Sequence, residues 1–164
     1  MTEETVLLFQ YGSNMDQDRL RKRLTEKEVP LKAIQAVGWA KLEGYKLVFD
    51  LFSKGNNCAV SDIVPGEVVY GGLYKVPKDA VVSATDKPSP MDEIEGANPN
   101  GTGNYQRIEV EVTSASGARV CAYTYVGTDE GRRKFQERPP AEKCTSRDYA
   151  GHILKGAKQF CLSA

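Results

Sequence analysis

TVLLFQYGSN, Thr5 through Asn14, runs directly into MDQDRLRKRLTEKE over 15–28. Thr5 to Tyr11 is a short apolar run with β-branched and aromatic residues, the composition of a strand. It stops at Gly12-Ser13-Asn14. The next segment carries Asp16 and Asp18 in its first turn and Arg21, Lys22 and Arg23 toward its end, the order of charge that a helix dipole favours. Ser13 or Asn14 is the expected N-cap. Leu20 and Leu24, four apart, are expected to face the core. The chain therefore opens as strand, tight glycine turn, helix.

Outward from this unit the middle of the chain is β-rich. Ala33–Ala40, Tyr45–Phe52, Cys58–Val60 and Val68–Val76 carry strand residues between Gly, Asn and Pro punctuation. Paired Gly71-Gly72 predicts a bulge or a close backbone approach. Lys78–Ala84 has weak helical character, and Pro88 and Pro90 stop its continuation. Met91–Gly96 predicts a short helical turn closed by glycine. Arg107–Ser114 and Arg119–Val126 alternate and form a hairpin across Ala115–Ala118. Arg147–Phe160 closes the chain as a helix, with Tyr149, Ile153, Ala157 and Phe160 on one stripe. Only this helix and Asp16–Thr25 are convincing. The expected fold is one mixed α+β domain over 1–164, a small strongly curved sheet or β-barrel flanked by helices.

Composition narrows the function. The 164 residues hold 22 Lys+Arg and 22 Asp+Glu, a formal net charge of zero, which argues against a binder that works by neutralising nucleic-acid phosphates. No apolar run reaches the roughly 20 residues of a membrane helix, and Met1 to Glu4 are too polar and acidic for a signal peptide. A cytoplasmic location is expected. Cys58, Cys121, Cys144 and Cys161 are spaced by 63, 23 and 17 residues, without a C-x-x-C pair. Reduced buried thiols are expected rather than zinc or redox chemistry. His152 is the single histidine, so a Ser-His or Cys-His site is open only through it.

Four segments could carry chemistry. Tyr11–Asn14 feeds a helix N-terminus, where unpaired N–H groups can hold a carboxylate or an oxyanion; the plain alternative is a capped helix start. Asp92-Glu93-Ile94-Glu95 is either a solvated acidic turn or, because Met91 and Ile94 need apolar neighbours, a turn with one carboxylate directed inward as a general base. Tyr105-Gln106-Arg107 can bind a carboxylate, order a loop or pack at a sheet edge. Tyr149 alone reads as a core tyrosine. The basic run Arg19–Arg23 reads as a solvated helix face.

Taken in order, these pieces resemble the γ-glutamylcyclotransferase-like family. Its Y-G-S-N turn is matched by Tyr11–Asn14 and its G-x-L/V-Y strand by Gly71–Tyr74. Its L-D-x-x-E-G turn is matched by Met91–Gly96, with Met for Leu. Its Y-x-R start is matched by Tyr105–Arg107, and a tyrosine seven residues before a G-A dipeptide by Tyr149 and Gly156-Ala157. The differences are two prolines in Thr85–Pro90, which break the helix leading into the glutamate and could shift it, and Cys161-Leu162-Ser163 in place of G-L-P. The resemblance implies release of 5-oxoproline from a γ-glutamyl compound, with Glu95 as catalytic acid/base. Tyr11, Gly12, Ser13, Asn14, Tyr105 and Tyr149 would bind substrate, with no cofactor and no metal. The leaving group is left open: γ-glutamyl-amino acids, or γ-glutamylamines such as isopeptide remnants and protecting groups. A non-catalytic metabolite-binding relative is a further alternative. The expected partners are a small γ-glutamyl substrate and a second copy in a homodimer, with neither nucleic acid nor membrane.

Overall fold

The computed structural model describes residues 4–83 and 86–162. Expectations that touch Met1–Glu3, Ala84, Thr85 and Ser163 lie outside the described residues. Among the described residues five strands close into a barrel in the order β1-β3-β2-β4-β5: β1 Thr5–Gln10, β2 Gln35–Ser53, β3 Cys58–Pro77, β4 Tyr105–Ser114 and β5 Arg119–Gly127. All neighbours are antiparallel except β1 and β5, which meet in parallel at Leu8 and Tyr123.

The four strand segments expected in the middle of the chain merge into two. β2 and β3 run 19 and 20 residues as one long hairpin. Their register shifts between Ala36 and Gly38, between Glu43 and Tyr45, and between Val48 and Leu51. Gly44, with φ of 90°, sits in the second shift. Glycine in these strands marks bulges that bend the ladder, not strand ends. Gly71-Gly72 is a close approach: a methyl at 71 would lie 2.3 Å from the Gln10 carbonyl oxygen, and one at 72 would lie 2.3 Å from the Phe160 ring.

Alternation along β1 divides the core. Phe9 joins Tyr11, Leu42, Ile63, Leu73 and Val112 in one cluster. Leu8 joins Leu20, Leu24, Tyr74, Met91 and Phe160 between the sheet and the helices. Successive strand residues face opposite sides, so one run of apolar residues serves both cores.

Among the described residues four α-helices flank the barrel: α1 Gln17–Glu26, α2 Pro90–Glu95, α3 Asp129–Gln136 and α4 Arg147–Gln159. The N-cap of α1 is Asp16 rather than Ser13 or Asn14; its side chain accepts from the N–H of Asp18 and Arg19 at 3.1 and 3.3 Å. Ser13–Met15 form a separate 3-10 turn first, so the sequence between strand and helix is one turn longer than its composition suggests. α4 packs against that turn at Gly156, where a methyl would stand 2.2 Å from the Met15 carbonyl carbon. α3 was not expected. Its Thr128 cap accepts from Gly131 N–H at 3.0 Å, but Gly131 and Phe135 are its only buried residues, too few for a helical period to show. The expected helix at Lys78–Ala84 is a 3-10 turn over Lys78–Ala80. The four cysteines are free, and only Cys58 is buried; Cys121, Cys144 and Cys161 are exposed, against the expectation of buried thiols. Among the described residues no helix is long and apolar enough to cross a membrane.

Candidate active site

The turn after β1 is pinned by tyrosines. The Tyr11 hydroxyl donates to the Tyr125 carbonyl at 2.5 Å. Tyr74 donates to the carbonyls of Asn14 and Met15, each at 3.1 Å. Gly12 has no room for a side chain: a methyl there would stand 2.2 Å from Ser61 Oγ and 3.2 Å from the Tyr149 hydroxyl. As the first residues of a 3-10 turn, Ser13 and Asn14 carry N–H groups with no acceptor inside it.

Ser61, which the sequence reading missed, ties three elements together. Its N–H donates to the Tyr149 hydroxyl at 3.1 Å and its Oγ lies 2.8 Å from the same oxygen. Its carbonyl accepts the Tyr105 hydroxyl. A serine inside an apolar strand (CAVSDIV) is the sole trace of this in the sequence.

The acidic turn divides its carboxylates. Ser89 and Asp92 form a capping box, Ser89 Oγ accepting from Asp92 N–H and Asp92 Oδ2 accepting from Ser89 N–H, both at 3.1 Å. Asp92 is also 2.8 Å from Arg107 Nη1 and accepts the Tyr125 hydroxyl at 2.6 Å. The same Arg107 nitrogen donates to the Val81 carbonyl at 2.6 Å, so Arg107 orders a loop. Asp92 is a buried structural acid that caps the helix, not part of a solvated acidic turn. Glu93 is exposed and pairs with Lys27 at 2.6 Å. Gly96, at φ of 69°, ends α2 and leaves Glu95 as its last residue.

Glu95 faces the turn after β1. Asn14 Nδ2 donates to its Oε1 at 2.8 Å. A small inner pocket, about 20 Å³, is bordered by Tyr11–Asn14, Ser61, Glu95, Tyr105 and Tyr149, together with Gln10, Thr124 and Tyr125. Ser13, Asn14, Glu95, Tyr105 and Tyr149 also border an outer cleft of about 470 Å³. The structure therefore brings Glu95 and the six residues expected to bind substrate to one place, and leaves Asp92, Glu93 and Arg107 outside the inner pocket. Burial raises the Glu95 pKa, opposed by the Asn14 hydrogen bond and by Arg23 and Arg19. Burial also pushes Tyr11 and Tyr105 far up, with nearby charged groups adding to the effect, so both stay neutral donors. Tyr149 is raised by burial against its Ser61 hydrogen bonds.

The outer cleft is basic. Arg23, Lys54, Lys134 and Arg138 line it beside Glu93 and Glu95, and Arg138 stacks 3.7 Å above the Phe52 ring. The run Arg19–Arg23 is thus more than a solvated face: Arg23 borders the cleft and Arg19 holds Asn56 at 2.9 Å. His152 borders neither the inner pocket nor the cleft; its Nδ1 lies 2.7 Å from Asp16 Oδ2. Among the described residues no group of three His, Cys, Asp or Glu side chains could hold a metal ion.

Comparison with known proteins agrees with this architecture. The family model described as gamma-glutamyl cyclotransferase, AIG2-like, matches residues 8–150. The human protein named gamma-glutamylcyclotransferase is 30% identical over 164 residues, covering 96% of this chain and 72% of that protein. Its mouse counterpart is 28% identical over 162 residues, covering 95% and 72%. A solved structure titled gamma-glutamyl cyclotransferase shares the fold with a TM-score of 0.68 at 24% identity, over 95% of this chain and 80% of that one. The barrel, the turn that follows its first strand and the family match over most of the sequence agree: the chain belongs to the gamma-glutamyl cyclotransferase, AIG2-like family.

Proposed function

We propose that this protein releases 5-oxoproline from γ-glutamyl compounds, with Glu95 as general base and then general acid. The observation that carries the reading is the 2.8 Å contact between Asn14 and Glu95, a carboxylate held by one neutral donor at the edge of a polar pocket. The substrate's α-amine is itself the nucleophile. Bound as an ammonium, it gives a proton to Glu95, whose raised pKa keeps the carboxylate basic enough to accept it. The free amine attacks the γ-carbonyl and closes a five-membered lactam. Glu95 passes that proton to the departing nitrogen, takes the second proton from the attacking nitrogen as the lactam forms, and delivers it to the released amine, so the two protons lost by the ammonium leave with the product and Glu95 ends ionised as it began. N–H groups of Gly12–Asn14 are placed in this reading to stabilise the developing oxyanion, where one good donor is worth about 10²–10³-fold. Tyr105 and Tyr149, fixed through Ser61, would wall the folded glutamyl chain and hold it in its cyclising shape.

Among leaving groups, the basic lining of the cleft favours an anionic one. Arg23 and Lys54, beside Lys134 and Arg138 in their ion pairs with Glu130 and Glu142, suit the carboxylate of a γ-glutamyl-amino acid or peptide and disfavour the cationic remainder of a γ-glutamylamine. The test is 5-oxoproline release across a panel of both kinds. Turnover of γ-glutamyl-amino acids well above γ-glutamylamines is expected; the reverse order overturns the assignment of leaving group, and no release from any substrate overturns the reaction.

A further inference from the structure

Two polar side-chain atoms at the inner pocket are buried without a partner: Gln10 Nε2 and Asn14 Oδ1. Gln10 is 6% exposed and Asn14 4%. Unpaired buried amides are costly and rare in native proteins, so a pair of them at one pocket calls for a ligand that completes both. One is a donor and one an acceptor. An ammonium beside Glu95 satisfies the acceptor, Asn14 Oδ1. The donor asks for an anion.

Position identifies that anion. Asn14 and Glu95 border both the inner pocket and the outer cleft, whereas Gln10 borders only the inner pocket. With the leaving group in the cleft and the amine at Glu95, the deepest part of a γ-glutamyl substrate is its α-carboxylate. The free space there is about 20 Å³, room for about one water-sized atom group, so a carboxylate can reach in with one oxygen while a chain cannot follow. On the cyclisation reading above, we infer that Gln10 is a substrate-binding residue whose Nε2 donates to the α-carboxylate of the glutamyl group. The inner pocket then reads the amino-acid head of the substrate as a pair, amine on Asn14 Oδ1 and Glu95, carboxylate on Gln10. The carboxylate does not react, so this contact holds ground state and transition state alike and its loss belongs in KM.

Gln10→Met keeps the length of the side chain and removes the donor. With a γ-glutamyl dipeptide, KM should rise about tenfold or more and kcat stay within about threefold, the range for a lost hydrogen bond to a charged group. Binding of 5-oxoproline, which keeps the carboxylate, should weaken by the same factor in calorimetry. Gln10→Glu, which sets a carboxylate against a carboxylate, should raise KM further. A 4-aminobutanoyl amide keeps the amine and carbonyl but lacks the α-carboxylate, and on it wild type and Gln10→Met should have equal kcat/KM. The melting temperature of Gln10→Met should not fall, since an unpaired amide has been replaced by an apolar group. Equal loss on both substrates, a loss in kcat alone, or a lower melting temperature with weaker binding of every ligand overturns the inference. Active wild type with unchanged Gln10→Met overturns it alone. Wild type that makes no 5-oxoproline from any γ-glutamyl compound overturns the cyclisation reading and this inference with it.

Discussion

Asp92 and Glu95 stand three residues apart on α2 and meet opposite surroundings. Asp92 is 1% exposed and surrounded by donors: the Ser89 backbone, the Arg107 guanidinium and the Tyr125 hydroxyl. Glu95 has one donor, the neutral Asn14 amide, and an open pocket beside it. A carboxylate saturated by a guanidinium and several hydrogen bonds fixes structure, because its acceptor sites are already committed. A carboxylate with one neutral donor can exchange a proton at little cost. The difference lies in what surrounds each acid, and it separates two roles that the string Asp-Glu-Ile-Glu leaves equivalent.

The sharpest way to break this comparison is to neutralise each acid in turn. Glu95→Gln should fold and bind substrate while kcat falls by about 10²–10⁴, the span of general acid–base catalysis; a 5-oxoproline assay with a denaturation control reads both. Asp92→Asn should do the reverse. Asn keeps an acceptor for the cap but leaves Arg107 without its counter-charge. Breaking a buried pair costs about 3–5 kcal/mol, lowered to about 2–3 here because Arg107 is 22% exposed on its side chain. Urea denaturation should show that loss, with kcat within about tenfold of wild type at temperatures where the variant is folded. A stable Asp92→Asn that is dead, beside an active Glu95→Gln, would exchange the two roles.

The fold was legible where local signals were unambiguous. Thr5–Gln10, and Leu20 and Leu24 of α1, behave as composition predicts, because alternation and helical spacing each point one way there. The long β2–β3 hairpin was not legible, because Gly44 and Pro65-Gly66 look like breaks between strands and lie within β2 and β3. α3 was hidden by its polar sequence. At the site, short motifs located Tyr11–Asn14 and Glu95, but the partners that fix them come from far along the chain: Ser61 meets Tyr149 across 88 residues, and Arg107 meets Asp92 across 15. Gln10 gave no signal at all, since a polar residue at a strand end is ordinary until its lack of a partner is seen.

A smaller effect sharpens the contrast on the neutral side of the site. Tyr149→Phe removes the acceptor for Ser61 N–H and the partner of Ser61 Oγ without touching any charge. A stability loss of about 1–2 kcal/mol is expected. The fall in kcat/KM should be about tenfold, smaller than for Glu95→Gln, because this hydroxyl positions the wall of the pocket and moves no proton. Steady-state kinetics with the same γ-glutamyl dipeptide checks it.

Asp50 places a third acid between the two, and it is read in the pH dependence of stability and not in turnover. It lies beside Asp62, which is saturated much as Asp92 is: Ile63 and Gly127 N–H each donate to it at 2.7 Å and Arg132 Nε at 2.9 Å. Asp50 has Arg132 only at 3.5 Å, and its Oδ1 is buried with no hydrogen bond. Burial first, and then the neighbouring Asp62, push its carboxyl up to about 7 against the pull of Arg132. The unfolded chain releases this proton near the ordinary carboxylate value of about 4, the folded chain only near 7. Between those values the folded state binds the extra proton, so stability is greatest below the window and declines as pH rises through it. Asp50→Asn removes that titration, and its stability should vary less than wild type between pH 4 and 7 in urea denaturation. Glu95, raised by burial, tilts the curve in the same direction, so the Asp50→Asn, Glu95→Gln double variant should be flatter than either single one. An unchanged slope in Asp50→Asn would mean that Arg132 neutralises both acids at once, and that a charged neighbour at 3.5 Å is enough to make a carboxylate structural.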